Sequence, residues 1–184
     1  MIGLDRVTAG YGGKIVLREL TLCLAERGIT ALYGPSGEGK TTVLRLLAGL
    51  EKPWSGKVWP GRRPAVLFQE NRLFPRRTVE QQLFDVLPQH RWKEAPEWLD
   101  LADLTGEEKT LPSALSGGMA RRLALVRAMA LGGDCLLLDE PFTGIDEERK
   151  ARLLERIREW PVPVLLITHQ EEERRGAEKI IRLG

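Results

Sequence analysis

The stretch 34-GPSGEGKTT-42 follows the apolar run 29-ITALY-33 and leads into apolar residues at helical spacing: Val43, Leu44, Leu46, Leu47 and Leu50. It fits the pattern G-x-x-x-x-G-K-[ST] through Gly34, Gly39, Lys40 and Thr41. A strand before and a helix after are the context in which that pattern has meaning. Glycines let the backbone turn its N–H groups inward around a phosphate chain, at angles that a side chain would obstruct. The helix start adds positive partial charge where the anion sits. The phosphate-binding candidates are therefore Gly34, Pro35, Ser36, Gly37, Gly39, Lys40, Thr41 and Thr42. Lys40 would reach the β and γ phosphates and the Thr41 hydroxyl would bind Mg²⁺. A plain glycine turn with a surface lysine is the competing reading, and the flanking elements argue against it.

Outward from this loop, strands and helices alternate. The segments 2-IGLDRVTAGY-11 and 19-ELTLCLAE-26 read as strands, with turn signals at Gly12-Gly13 and Gly28. The Pro/Gly-rich stretch 53-PWSGKVWPGRRP-64 reads as a connection into the short strand 65-AVLF-68. From Thr78 to Asp103 the spacing is helical, broken by Pro88 and Pro96, and reads as an inserted helical subdomain. A helix from about Gly118 to Leu131, the strand 135-CLLLD-139, a helix from about Glu147 to Trp160, and the strands 163-PVLLIT-168 and 179-KIIRL-183 complete the pattern. This predicts an α/β fold with a mostly parallel sheet covered on both faces. The expected organisation is one domain over residues 1–184. Residues 1–70 form an antiparallel β part with the loop-bearing core, 71–115 the helical subdomain, and 116–184 the remainder of the core.

Composition narrows the function. With 184 residues, 42% hydrophobic and 29% charged, the chain can bury a real core within one compact domain. A net charge of +2 and a pI near 8.6 are too mild to imply nucleic acid. The arginine pairs 62-63, 76-77, 121-122 and 174-175 are scattered and read as solvated faces or loop ends. Cys23 and Cys135 lie in apolar runs, where a free thiol acts as a small hydrophobe. They suit a reducing compartment and give no disulfide framework. No apolar run reaches the roughly 20 residues that span a bilayer, and Asp5 interrupts any leader. A cytosolic protein is expected, held at a membrane only through a partner.

Two further constellations carry chemistry. In 135-CLLLDEP-141 an apolar strand delivers Asp139 and Glu140 at its C-terminal end, where ligands of parallel sheets collect. Asp139 suits the Mg²⁺ site, and Glu140 could polarise an attacking water. A solvated strand end would look similar, but a metal-bound triphosphate needs such an acid nearby. In 115-LSGGM-119 the Ser116 hydroxyl and the Gly117 and Gly118 amides form an anion-binding cap at a helix start. One globule has no obvious use for two phosphate-binding helix ends.

The chain resembles the ATP-binding-cassette (ABC) ATPases, P-loop NTPases whose signature loop is LSGGQ, and this resemblance accounts for the duplication. In that family two subunits pack head to tail, so that the phosphate loop of one and the signature loop of the other enclose the same ATP. The resemblance covers nearly the whole chain in the family's order. It implies that Tyr11 stacks on adenine, and that Gln69, in 66-VLFQENRLFP-75, touches Mg²⁺ and water and senses the transport partner. It likewise implies that Asp146, in 142-FTGID-146, lies at the dimer interface and that His169 is the switch histidine near the γ phosphate. Read singly, Tyr11 and His169 could equally be core residues.

Met119 in place of the usual glutamine, together with 69-QENRLFPRRTVEQQL-83, resembles the nitrate, sulfonate and taurine importer branch. Residues 56–65 are shorter than usual, which predicts a trimmed hairpin in the antiparallel part. About fifteen residues follow His169, so a C-terminal regulatory domain is not expected. The resemblance thus implies ATP and Mg²⁺ as cofactors, a homodimer with two competent sites, and catalysis by Glu140, His169 and Gln69. It implies docking, through the surface around Gln69 and the helical subdomain, onto membrane permease subunits that meet an extracytoplasmic solute-binding protein; Leu73 and Phe74 read equally as the apolar lining of that groove or as core residues. The alternative is a non-transport ABC ATPase acting on a cell-envelope or cell-division complex. Paired cassettes or a coiled-coil insertion, usual in the soluble repair and translation members, are missing from the sequence.

Overall fold

The computed structural model describes residues 1–184. Its centre is a parallel sheet of five strands in the order β5-β6-β7-β3-β8, formed by β3 (Ile29–Tyr33), β5 (Pro64–Leu67), β6 (Cys135–Asp139), β7 (Val164–Ile167) and β8 (Lys179–Arg182). A second, antiparallel sheet runs β2-β1-β4, formed by β1 (Gly3–Tyr11), β2 (Lys14–Cys23) and β4 (Ser55–Trp59). Alternate residues of the parallel strands serve two separate cores. Leu136, Leu138, Val164, Leu166, Ile29 and Ala31 pack under the helices α2 (Val79–Phe84), α3 (Ala95–Leu101), α4 (Gly117–Leu131) and α5 (Glu147–Arg158). Cys135, Leu137, Leu165, Ile167 and Leu32 pack under α1 (Lys40–Leu47) and the antiparallel sheet. A sheet buried on both faces explains why these strands read as continuous apolar runs.

Several boundaries differ from the sequence reading. β2 starts at Lys14, five residues earlier than expected, because Gly12 and Gly13 at φ 56° and 81° close a two-residue hairpin that pairs Tyr11 with Lys14. Bulges at Arg6 and Glu19, both at φ 46°, shift the phase of apolar residues along the hairpin and hid this start. Each bulged amide donates to a threonine of the opposite strand, Arg6 N to Thr21 Oγ1 at 2.9 Å and Glu19 N to Thr8 Oγ1 at 3.2 Å. The stretch read as a connection contains β4, which pairs antiparallel with β1 through Leu4 and Val58. β4 is almost wholly exposed and carries no alternating pattern to reveal it. α1 stops at Leu47 because Gly49 at φ 69° turns the chain, Gly49 N donating to Leu46 O and Leu50 N to Arg45 O. A short helix α6 (Glu171–Arg174) follows β7 without any apolar spacing to announce it.

Two composition-based expectations are corrected. Arg121 and Arg122 are not a solvated pair: they are 3% and 7% exposed. Of the cysteines only Cys135 is a buried hydrophobe, its thiol pushed up to about 12 chiefly by burial. Cys23 ends β2 on its outward face and is exposed. No helix is long and apolar enough to cross a membrane.

Candidate active site

All five core strands run the same way, so the loops leaving their C-terminal ends gather at one edge of the sheet. The loop 34–39 leaves β3, Gln69 lies just past β5, Asp139 closes β6 with Glu140 after it, and His169 follows β7. A cavity of about 290 Å³ at this edge is lined by Ser36, Gly37, Gly39, Lys40, Thr41, Thr42, Gln69, Asp139, Glu140 and His169. Val16 of β2 completes the lining, and nothing in its sequence context singled it out.

The loop is shaped by its glycines at two points where another residue would not fit. At Gly34, φ 153°, a Cβ would run into the Leu183 carbonyl oxygen. At Gly39, φ 88°, it would lie 2.6 Å from Leu17 Cδ2 and 2.8 Å from Val16 Cγ1. Lys40 is buried, and its Nζ donates to Gly34 O and Pro35 O, both at 2.8 Å, which fixes the ammonium inside the curl of the loop. A glycine-shaped loop around a fixed cation at the start of an eight-residue helix fits a polyphosphate.

Opposite the loop, Thr41 Oγ1 donates to Asp139 Oδ2 at 2.7 Å. Burial raises the Asp139 carboxyl above its ordinary range; the Thr41 bond opposes this, and the neighbouring Glu140 charge adds to it. A carboxylate, a hydroxyl and the Gln69 amide are hard oxygen donors of the kind Mg²⁺ takes. Since they are few, phosphate oxygens and water must supply the rest of such a shell. Beside them, His169 Nε2 lies 3.0 Å from Glu140 Oε1. Glu140 sits at φ 48°, a strained backbone for a non-glycine residue and one that clusters at functional sites.

The remaining sequence candidates lie away from this cavity. Tyr11 is exposed at the tip of the β1-β2 hairpin. Ser116 caps α4, its Oγ accepting from Met119 N at 3.2 Å, and Gly117 beside it faces open space. Gly118 is held close to the Gly144 carbonyl, 2.7 Å from where its Cβ would be. Asp146 caps α5, accepting from Arg149 N at 3.2 Å; that backbone bond, ahead of the Arg149 guanidinium, holds its carboxyl below the usual range. Leu73 packs against the core, whereas Phe74 is 50% exposed.

The chain is similar to known proteins along most of its length. The ABC transporter family profile matches residues 17–143. An aliphatic sulfonates import ATP-binding protein of Rhodococcus jostii (strain RHA1) is 40% identical over 185 residues, covering 94% of this chain and 75% of the relative. The Fe(3+) ions import ATP-binding protein of Pasteurella multocida (strain Pm70) is 35% identical over 92% of this chain, which spans 55% of that protein. Among solved structures, a dimeric bacterial ABC transporter cassette superposes with a TM-score of 0.86 at 26% identity, covering all of this chain and 94% of its own. The same cassette in a post-hydrolysis state bound to ADP and Pi gives 0.83.

Proposed function

The chain belongs to the ABC transporter family, and from that premise we propose that it is the ATP-binding and hydrolysing subunit of a bacterial importer, working as an ATP-driven head-to-tail homodimer. The observation that carries this reading is the split of the candidate site. Phosphate loop, Thr41, Asp139, Glu140 and His169 share one cavity, while the second anion-binding cap at Ser116 opens elsewhere on the surface. A second copy turned head to tail would bring that cap and Asp146 over the cavity, and Tyr11 would meet the base at the hairpin tip. The sulfonate relative supports the importer branch expected from Met119 and residues 69–83.

In this mechanism the loop amides and Lys40 hold the β and γ phosphates, and the partner's Ser116 closes on the γ phosphate. Thr41, Asp139 and Gln69 would hold Mg²⁺, which when bound neutralises phosphate charge during transfer. Glu140 accepts a proton from the attacking water, and His169, within hydrogen-bond reach of Glu140, keeps the carboxylate aligned. Rate enhancement comes from position and charge. Residues 71–115, with exposed Phe74, form the helical subdomain that docks the dimer on permease subunits at the inner face of the membrane. The permease in turn meets a solute-binding protein.

One variant tests the whole reading. Glu140→Gln should bind ATP, lose turnover by about a hundredfold or more, and elute as a dimer in ATP. Tagged in its host and extracted gently with ATP present, it should bring a multi-spanning permease with it. Undiminished hydrolysis removes Glu140 as the base. Recovery with envelope or division proteins instead replaces the importer with a force-exerting ATPase.

A further inference from the structure

Arg121 lies in the second turn of α4, nearly out of reach of solvent, and forms no ion pair. Its donors go to two loops instead. Nη1 donates to Phe68 O at 2.7 Å, Gln69 O at 3.0 Å and Asn71 Oδ1 at 3.1 Å. Nη2 donates to Asp139 O at 2.5 Å and Glu140 O at 2.8 Å, and Nε to Pro141 O at 3.2 Å. The β5-β6 ladder ends at the pair Leu67 and Leu138, so Arg121 takes over as the bridge one residue further on, where the strands give way to the loops. Only a planar fork with five N–H groups can serve both sides at once. Burial draws the guanidinium pKa down, while the charges of Asp139, Glu140 and Glu70 draw it up. The Glu140 carbonyl held by Nη2 belongs to the residue at φ 48°, a conformation that persists only when its surroundings fix it.

We infer that Arg121 is a positioning residue for hydrolysis: it touches no nucleotide, but locks the Glu140 and Gln69 backbones into one frame so that both side chains address the same water. This rests on the reading of Glu140 as the base. Arg121→Lys keeps the charge and loses the fork; Asn71→Ala removes the fork's one side-chain partner and leaves the buried cation in place. Arg121→Lys should lower kcat about ten- to a hundredfold, with ATP affinity within about threefold of wild type, since it leaves the phosphate loop intact. Asn71→Ala should move kcat the same way by less. Combined with Glu140→Gln, each should cost clearly less than it does alone, because the share that acts through Glu140 is already lost and residues that act through one group are not additive.

An unchanged kcat in both variants, a parallel loss of affinity and kcat, or losses that multiply with Glu140→Gln would each overturn the inference. If Arg121→Lys does not fold, Asn71→Ala with and without Glu140→Gln decides the matter alone. Full turnover by Glu140→Gln overturns the base and this inference together. An inactive Glu140→Gln beside fully active Arg121→Lys and Asn71→Ala overturns the inference only.

Discussion

Glu173 lies behind the site in α6, 3% exposed, and accepts a hydrogen bond from the Thr168 hydroxyl. Burial raises its carboxyl above the usual range; the Thr168 bond and Lys150 oppose this, and Glu147 and Glu140 reinforce it. A carboxyl with its folded pKa above the ordinary 4.5 binds more protons folded than unfolded between the two values, so its contribution to stability falls as pH rises through that window. Glu173→Gln keeps an acceptor for Thr168 and should melt above wild type near pH 8, with the gap closing near pH 4. Melts at both pH values check this, and a gap of opposite sign would remove burial as the main cause. At this scale the loop 34–42 was legible as a candidate because its residues are consecutive, and the structure places most of them in one cavity. Arg121 was not: its partners lie up to 53 residues away, and a buried arginine looks in sequence like any solvated one. Val16 escaped for the same reason, having no neighbour in sequence that shares its task.

Helix α4 is held at its start by Ser116, whose side chain takes one of the orphan amides of the first turn. Ser116→Ala should destabilise the isolated chain by about 1 kcal/mol, lowering the melting temperature by about 2–4 °C. Thermal melts give that figure, and no change would mean that water caps the helix as well as serine does. Any loss of turnover at 25 °C, where the variant stays folded, then reports the partner-facing role separately. The buried strands were legible because burial on both faces leaves continuous apolar runs, and the helices because a buried stripe leaves apolar residues at helical spacing. β4 and α6 were not, since their residues are mostly exposed and their formation depends on neighbours, β1 in the first case and the end of β7 in the second.

For the whole molecule, the head-to-tail arrangement makes a numerical prediction. Lys40→Ala should abolish nucleotide binding in its own cavity, and Ser116→Arg should block the partner's. Each alone should be inactive. Mixed in equal amounts before ATP is added, they should recover about a quarter of the wild-type sites, because only mixed dimers carry one intact cavity. No recovery on mixing would exclude a site shared between chains. The two cysteines also differ in a way that gives the chain an internal clock. An alkylating reagent meets Cys23 on the surface at once. Cys135 starts β6 inside the parallel sheet, its thiol protonated up to about 12, and reacts only when the sheet opens. The lag between the first and second adduct in a mass spectrum therefore measures how often the parallel sheet comes apart. ATP should lengthen that lag without delaying the first adduct.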